Sequence, residues 1–306
     1  MVTANKIKGL EMPYCTTNDG VKLYYEEAGE GTPILFVHEF AGDYRSWEPQ
    51  VRHFSHNYRC ITFSARGFTP SGVPADPEMY SQDIAREDIK AVLDSLDIQE
   101  AHVIGLSMGG FSALHFGMHY PDRVLSQVIA GCGYGADEGS SDQFKRETAE
   151  AANRMETETM AVFGASYAVG PTRVQFQNKD PRGWKEFETQ LCEHSSLGSA
   201  NTMRGVQSRR PSLYALKESL QEMTVPTLVL NGDEDDPCLG VSLFLKETIT
   251  SSALSLIPRT GHTCNLEEPA LFNQICETFI HQVECGRWTL RDPRSMTSSI
   301  ISAEDK

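Results

Sequence analysis

Residues 101–110 read A-H-V-I-G-L-S-M-G-G. A serine with glycine two positions before and two after fits a very tight strand-to-helix turn, where flanking side chains would collide. Gly105 and Gly109 remove those side chains, and Gly110 adds room for close packing. Ser107 then sits in strained backbone space with its hydroxyl beyond the strand end. The first amides of the following helix point toward the same place. This is the spelling of a nucleophile elbow, and it requires a strand before it and a helix after it.

The surrounding sequence meets that requirement. Continuous apolar runs at 34–37, 60–63, 103–104, 124–130, 226–230 and 253–257 are too short for helices and read as buried parallel strands. A partly alternating run at 21–27 follows the turn Thr16-Thr17-Asn18-Asp19-Gly20. Helical spacing of apolar residues marks 46–54, 80–96, the stretch from Ser107 to about Tyr120, and 270–283. Strands alternating with helices predict an α/β chain with an open, mostly parallel sheet.

From Gly131 the pattern changes. Residues 142–222 are helical and polar, with a non-periodic segment between Pro171 and Pro181. The sequence therefore predicts a core made of residues 1–134 and 223–306, with a helical cap, 135–222, inserted in it. The tail after Gly286 is weakly patterned and reads as loose toward Lys306.

A chain of 306 residues is long enough to bury this core without disulfides or metals. The formal net charge of −15 argues against nucleic acid and anionic membranes as partners. The eight cysteines form no C-x-x-C pair and no zinc-finger spacing, so they read as reduced thiols. The first residues, Met1 to Lys6, carry no apolar leader, and no apolar run is long enough to span a bilayer. The expected compartment is the cytoplasm, and a homodimer is compatible with everything above.

A serine hydroxyl is a poor nucleophile at neutral pH, so Ser107 needs a base, and the base needs an orienting carboxylate. Both belong after later strands, because ligands bind at the carboxyl ends of open α/β sheets. Asn231-Gly232-Asp233-Glu234-Asp235-Asp236-Pro237 follows one such strand, and Pro258-Arg259-Thr260-Gly261-His262 follows the next. His53, His56, His102, His115, His119, His194 and His281 lack that setting and read as surface or packing residues.

With these residues in place, the chain resembles the α/β-hydrolase fold superfamily, in its serine-nucleophile branch, over roughly residues 20 to 283. The resemblance implies an eight-stranded, mostly parallel sheet and the triad Ser107, Asp235 and His262. Gly232-Asp233-Glu234-Asp235 matches the family's G-x-x-D turn, which makes Asp235 the acid, with Asp233 and Asp236 as fallbacks. It also implies an oxyanion hole built from the backbone N–H groups of Phe40 and Met108. In that loop Glu39 replaces the usual glycine. A carboxylate there would oppose a developing oxyanion, so Glu39 points away, is neutralised by a partner such as Arg45 or Arg66, or positions water, and the first two together are the expectation. His38 is expected to brace the loop.

G-L-S-M-G-G, Ser46-Trp47-Glu48-Pro49-Gln50 and Arg66-Gly67 resemble the family's esterases, enol-lactonases and cofactor-free perhydrolases. The implied reaction is cleavage of a carboxylic ester, lactone or thioester of a small or medium-sized molecule, with no metal and no organic cofactor. Two alternatives use the same triad: hydrolysis of a C–C bond in a vinylogous diketone, and a small-molecule signal receptor. Tyr167, Arg173, Gln175 and Trp184 are cap residues that could reach a substrate, although ordinary cap packing is the more economical reading. Cys264 reads as a buried, inert thiol.

Overall fold

Side chains on the central strands alternate between two apolar layers, and that alternation sets the architecture. The computed structural model describes residues 13–296. Its strands are β1 (Tyr14–Thr16), β2 (Lys22–Ala28), β3 (Pro33–Val37), β4 (Arg59–Phe63), β5 (Ala101–Leu106), β6 (Val124–Ala130), β7 (Thr227–Gly232) and β8 (Ser252–Ile257). They form one sheet in the order β1-β2-β4-β3-β5-β6-β7-β8. β1 and β2 run antiparallel, and every pairing from β4 to β8 is parallel.

Helices α1 (Glu48–Phe54), α2 (Gln82–Ser95), α3 (Met108–His119), α10 (Asp236–Thr248), α11 (Cys264–Glu267) and α12 (Pro269–Glu284) connect or follow these strands. Leu35 and Val37 of β3 face α2, α3 and α10 through Ile89, Leu93, Leu114 and Leu245. Ile34 and Phe36 face Phe54 of α1 and Phe272 and Phe279 of α12. Each fully buried residue of this kind stabilises the fold by about 1.5–3 kcal/mol. Parallel strands covered on both faces explain why these runs are continuously apolar.

Between β6 and β7 lie α4 (Glu138–Glu158), α5 (Met160–Tyr167), α6 (Val174–Lys179), α7 (Pro181–Cys192), α8 (Ser196–Thr202) and α9 (Lys217–Glu222). Met155, Phe163, Phe176, Phe187 and Leu191 from this segment pack with Phe40, Phe68, Tyr80 and Met108 in a third apolar cluster, above the carboxyl edge of the sheet. The stretch expected to be non-periodic contains α6. Six residues are too few to display helical periodicity, and the prolines on either side mask it.

Boundaries differ from expectation in the usual places. The helix expected over 46–54 begins as a 3-10 turn, Tyr44–Trp47, capped by Asp43, before α1 starts at Glu48. The helix expected from residue 80 starts at Gln82, because the Ser81 hydroxyl caps it by accepting from the Ile84 N–H. The tail after Gly286 is anchored at its start. Trp288 stacks edge-on against Phe279 and donates its indole N–H to the Ser251 carbonyl. The expectations for the first twelve residues and for residues 297–306 lie outside the described residues.

Three buried histidines give the fold an acid limit. Burial pushes the rings of His38, His102 and His115 down to about 4. Between that value and the ordinary value near 6.5, the unfolded chain binds more protons than the folded one. Their contribution is therefore complete above about pH 6.5 and lost as pH falls toward 4, by on the order of 2 kcal/mol per ring. Urea melts at about pH 7.5 and 4.5 should show the loss, and His115→Phe should flatten the slope by about one proton. Equal midpoints at the two pH values would contradict it.

Candidate active site

Register brings the ends of five strands to one edge. Val37 pairs with Gly105, Leu106 with Ala130, Ala130 with Leu230, and Gly232 with Ile257. The residues that follow these ends, Glu39, Ser107, Gly131, Asp235 and His262, therefore share the carboxyl edge. Ser107 has φ 55° and ψ −116°, the strained left-handed conformation of the elbow. A Cβ on Gly105 would lie 2.3 Å from the Gly109 carbonyl oxygen, and one on Gly109 would lie 2.0 Å from that of Val37. The Ser107 N–H donates to the Ala130 carbonyl at 2.8 Å, which ties the elbow to β6.

Asp235 and His262 meet on the same edge. The imidazole Nδ1 of His262 lies 2.8 Å from Asp235 Oδ2. Burial alone would raise the Asp235 carboxyl, but the His262 ring outweighs it and holds the carboxyl below its ordinary range. The fallback acids take no part: Asp233 and Asp236 are exposed, and Asp233 accepts from the Thr260 N–H. The His262 ring lies over the turn that follows β6, with its Cε1 3.4 Å from where a Cβ on Gly131 would stand. Its loop is held on both sides. The Gly261 N–H donates to Glu267, and the His262 N–H donates to the Thr172 carbonyl in the helical segment. Lys179 of α6 adds contacts to Thr260, Glu267 and Glu268.

Across from the elbow is the loop after β3. His38 braces it, as expected: its Nδ1 donates to the Glu39 carbonyl at 2.6 Å while its Nε2 accepts from the Ala65 N–H at 2.9 Å. The amides of Phe40, in this loop, and of Met108, at the start of α3, donate to no other backbone group among the described residues.

At Glu39 the expectation holds only in part, since an arginine does pair with it but not one of the two named. Its carboxylate is buried and pairs with neither Arg45 nor Arg66. Arg45 is engaged by Asp43 and Glu193, and Arg66 by Asp19 and Asp88. The partner is Arg173, whose Nη2 lies 2.5 Å from Glu39 Oε2. Nor does Glu39 point away from the chemistry, because the same oxygen lies 3.9 Å from His262 Nε2. Arg173 is fully buried, with the rings of Tyr167 and Phe187 each about 5.5 Å from its guanidinium carbon. Burial works against its charge, but Glu39 and Tyr167 outweigh burial and raise it above the usual arginine range. The pair joins positions 134 residues apart, which hid it from local pattern. The available signal was the acid itself, since a buried carboxylate demands a cation.

The other candidates from the helical segment have plainer roles. Trp184 donates to the Ala168 carbonyl, and Gln175 packs against Gly261. Cys264 is buried, and burial pushes its thiol far up, as expected of an inert cysteine. Asp235, Cys238 and His262 offer metal-ligand atoms within 4.8 Å of one another. However, Asp235 and His262 already bond each other, and burial holds the Cys238 thiol protonated, so the set suits hydrogen bonding better than a divalent ion. A cleft of about 650 Å³ between α1 and α7 is lined by none of the triad candidates.

The family model of the alpha/beta hydrolase fold matches residues 32–269. A 3-oxoadipate enol-lactonase of Acinetobacter baylyi is 26% identical over 273 residues, covering 88% of this chain and 97% of the relative. A thermophilic esterase from Thermogutta terrifontis superposes with a TM-score of 0.79 at 24% identity, over 89% of this chain and 99% of its own. A solved structure described as an N-acyl homoserine lactone degrading enzyme gives a TM-score of 0.72 at 28% identity, over 87% of this chain and 100% of that one.

Proposed function

The chain belongs to the alpha/beta hydrolase fold family, and from that premise we propose that it is a carboxylic ester hydrolase acting on a small or medium-sized ester, lactone or thioester through Ser107, His262 and Asp235. The observation that carries this reading is the 2.8 Å bond from His262 to the buried Asp235, made at the sheet edge where the strained elbow presents Ser107. The enol-lactonase and lactone-degrading relatives support the substrate class.

The bond to Asp235 occupies Nδ1 and so leaves Nε2 of His262 to serve as the base. His262 Nε2 takes the hydroxyl proton as Ser107 Oγ forms a bond to the carbonyl carbon. The resulting oxyanion is met by the N–H groups of Phe40 and Met108. The C–O bond to the leaving group then breaks, and His262 passes its proton to the departing oxygen. Water repeats the sequence: His262 takes one of its protons, its oxygen attacks the acyl carbon, and the acid leaves as Ser107 recovers its proton. Asp235 orients the ring and stabilises its cation throughout. No step calls for a metal or an organic cofactor.

In this reading the helical segment, residues 135–222, is a cap that closes the acyl site. The substrate is the partner, with no role for nucleic acid or a membrane. No helix among the described residues is long and apolar enough to cross a bilayer. All eight cysteines are free thiols, which supports a reducing, cytoplasmic location.

The test is steady-state turnover of p-nitrophenyl esters of rising acyl length, together with labelling by an uncharged alkyl phosphonofluoridate. Repeated turnover with an optimum chain length, and a label mapped by mass spectrometry to Ser107, are expected. A single stoichiometric burst without turnover, or no label at Ser107, would overturn the reading.

A further inference from the structure

The Glu39–Arg173 pair is the feature of the site that the hydrolytic mechanism does not use. Two charges removed from water cost several kcal/mol each, and a buried pair is weak as a device for stability. This one lies 3.9 Å from the nitrogen that moves the proton. It also spans the two parts that enclose a substrate, the oxyanion loop and the helical segment. An arginine in such a position, with the Tyr167 and Phe187 rings about 5.5 Å from its guanidinium carbon, is suited to hold a substrate carboxylate by its planar fork. Here a carboxylate of the protein has taken that place.

The charges beside His262 make the consequence explicit. Two carboxylates, Asp235 and Glu39, flank the His262 ring, and one guanidinium, Arg173, pairs with Glu39. Of the other cations, Lys179 is engaged by Glu267 and Glu268, Arg45 by Asp43 and Glu193, and Arg66 by Asp19 and Asp88, while the buried Arg210, near Cys132 and Cys238, donates to the Gln207 side chain and the Tyr134 carbonyl and has no carboxylate partner among the described residues. With a neutral imidazole, the two carboxylates beside the ring have one cation in contact with either of them, Arg173, and Glu39 holds it. A carboxylate on the substrate would add another negative charge in a place where solvent screening is weak.

Resting on the hydrolase reading above, we infer that Glu39 is a specificity-determining residue: by occupying Arg173 it makes the site select uncharged esters and reject those that carry a carboxylate on the acyl chain. The remaining donors of Arg173 do not reverse this. Its Nη1 lies 3.5 Å from the Thr263 hydroxyl, and its Nε has no hydrogen-bond partner among the described residues. Those positions could form hydrogen bonds to a substrate, but the charge they would offer an anion is already balanced by Glu39.

The experiment compares p-nitrophenyl butyrate with mono-p-nitrophenyl succinate, which share an acyl length and differ in a terminal carboxylate. The wild-type protein should favour the neutral ester in kcat/KM by about tenfold or more. Glu39→Gln should shrink or invert that ratio by gaining rate on the anionic ester, and adding Arg173→Met should abolish the gain. A merely structural role for Glu39 would lower both rates together and leave the ratio fixed. A wild-type preference for the anionic ester, or a ratio that Glu39→Gln does not move, overturns the inference. The wild-type ratio stands alone if the variants fail to fold, and it should persist at high salt because buried charges are screened little. Labelling of Ser107 by the neutral phosphonofluoridate separates the two failures: no label sinks the hydrolase reading, whereas label with the wrong ratio sinks only this one.

Discussion

Ser107→Ala is expected to lower kcat on the best p-nitrophenyl ester by roughly 10⁴- to 10⁶-fold while leaving the fold intact. Serine and alanine place the same Cβ in the strained backbone at φ 55°, so the elbow itself does not change. Only the oxygen proposed to attack the carbonyl is lost. The residual rate should come from the Phe40 and Met108 amides and from binding alone. Urea unfolding should place the variant within about 0.5 kcal/mol of wild type. A residual rate within about tenfold of wild type would mean that another group attacks the ester.

Gly109→Ala is expected to be among the most damaging single-methyl changes in the described residues. The added carbon would stand 2.0 Å from the Val37 carbonyl oxygen and 2.6 Å from that of His38, both of them backbone atoms. Neither can swing aside, so β3 and the oxyanion loop must move away from the elbow. A loss above about 4 kcal/mol is expected, enough to leave little folded protein. Gly240 in α10 supplies the control. Nothing lies within 4 Å of a Cβ there, and alanine should be neutral or stabilise by up to about 1 kcal/mol. Soluble yield and urea midpoints of the two variants make the comparison, and a Gly109→Ala protein of ordinary stability would contradict the elbow geometry.

These two predictions rest on what local sequence could reveal. Glycine spacing, short apolar runs and a glycine-led acid turn each encode geometry within a few residues, so the elbow, the strands and Asp235 were legible. Asp235 was separable from Asp233 and Asp236 by the turn it occupies, and the structure buries it while its neighbours stay exposed. The partner of Glu39 was not legible. It depends on how the segment between β6 and β7 returns over the sheet edge, and no periodicity within either stretch records that contact. The same holds for α6, which is too short to announce itself and matters because it follows Arg173 directly. Long-range pairing of charges is the part of a site that single-sequence reasoning reaches last. A polar residue in an otherwise apolar loop still shows that a partner must exist.

The hydrogen bond from the His262 N–H to the Thr172 carbonyl bears on how such enzymes can be rebuilt. Lids of this kind invite exchange between relatives as a way to change what is accepted. In this chain the segment proposed as the lid also holds the backbone of His262, the proposed general base, and Lys179 braces the same loop from seven residues further on. A graft that replaced the whole lid would misplace the histidine along with the old selectivity. Recombination has safer seams on either side of the 172–179 strap, leaving those eight residues with the parent.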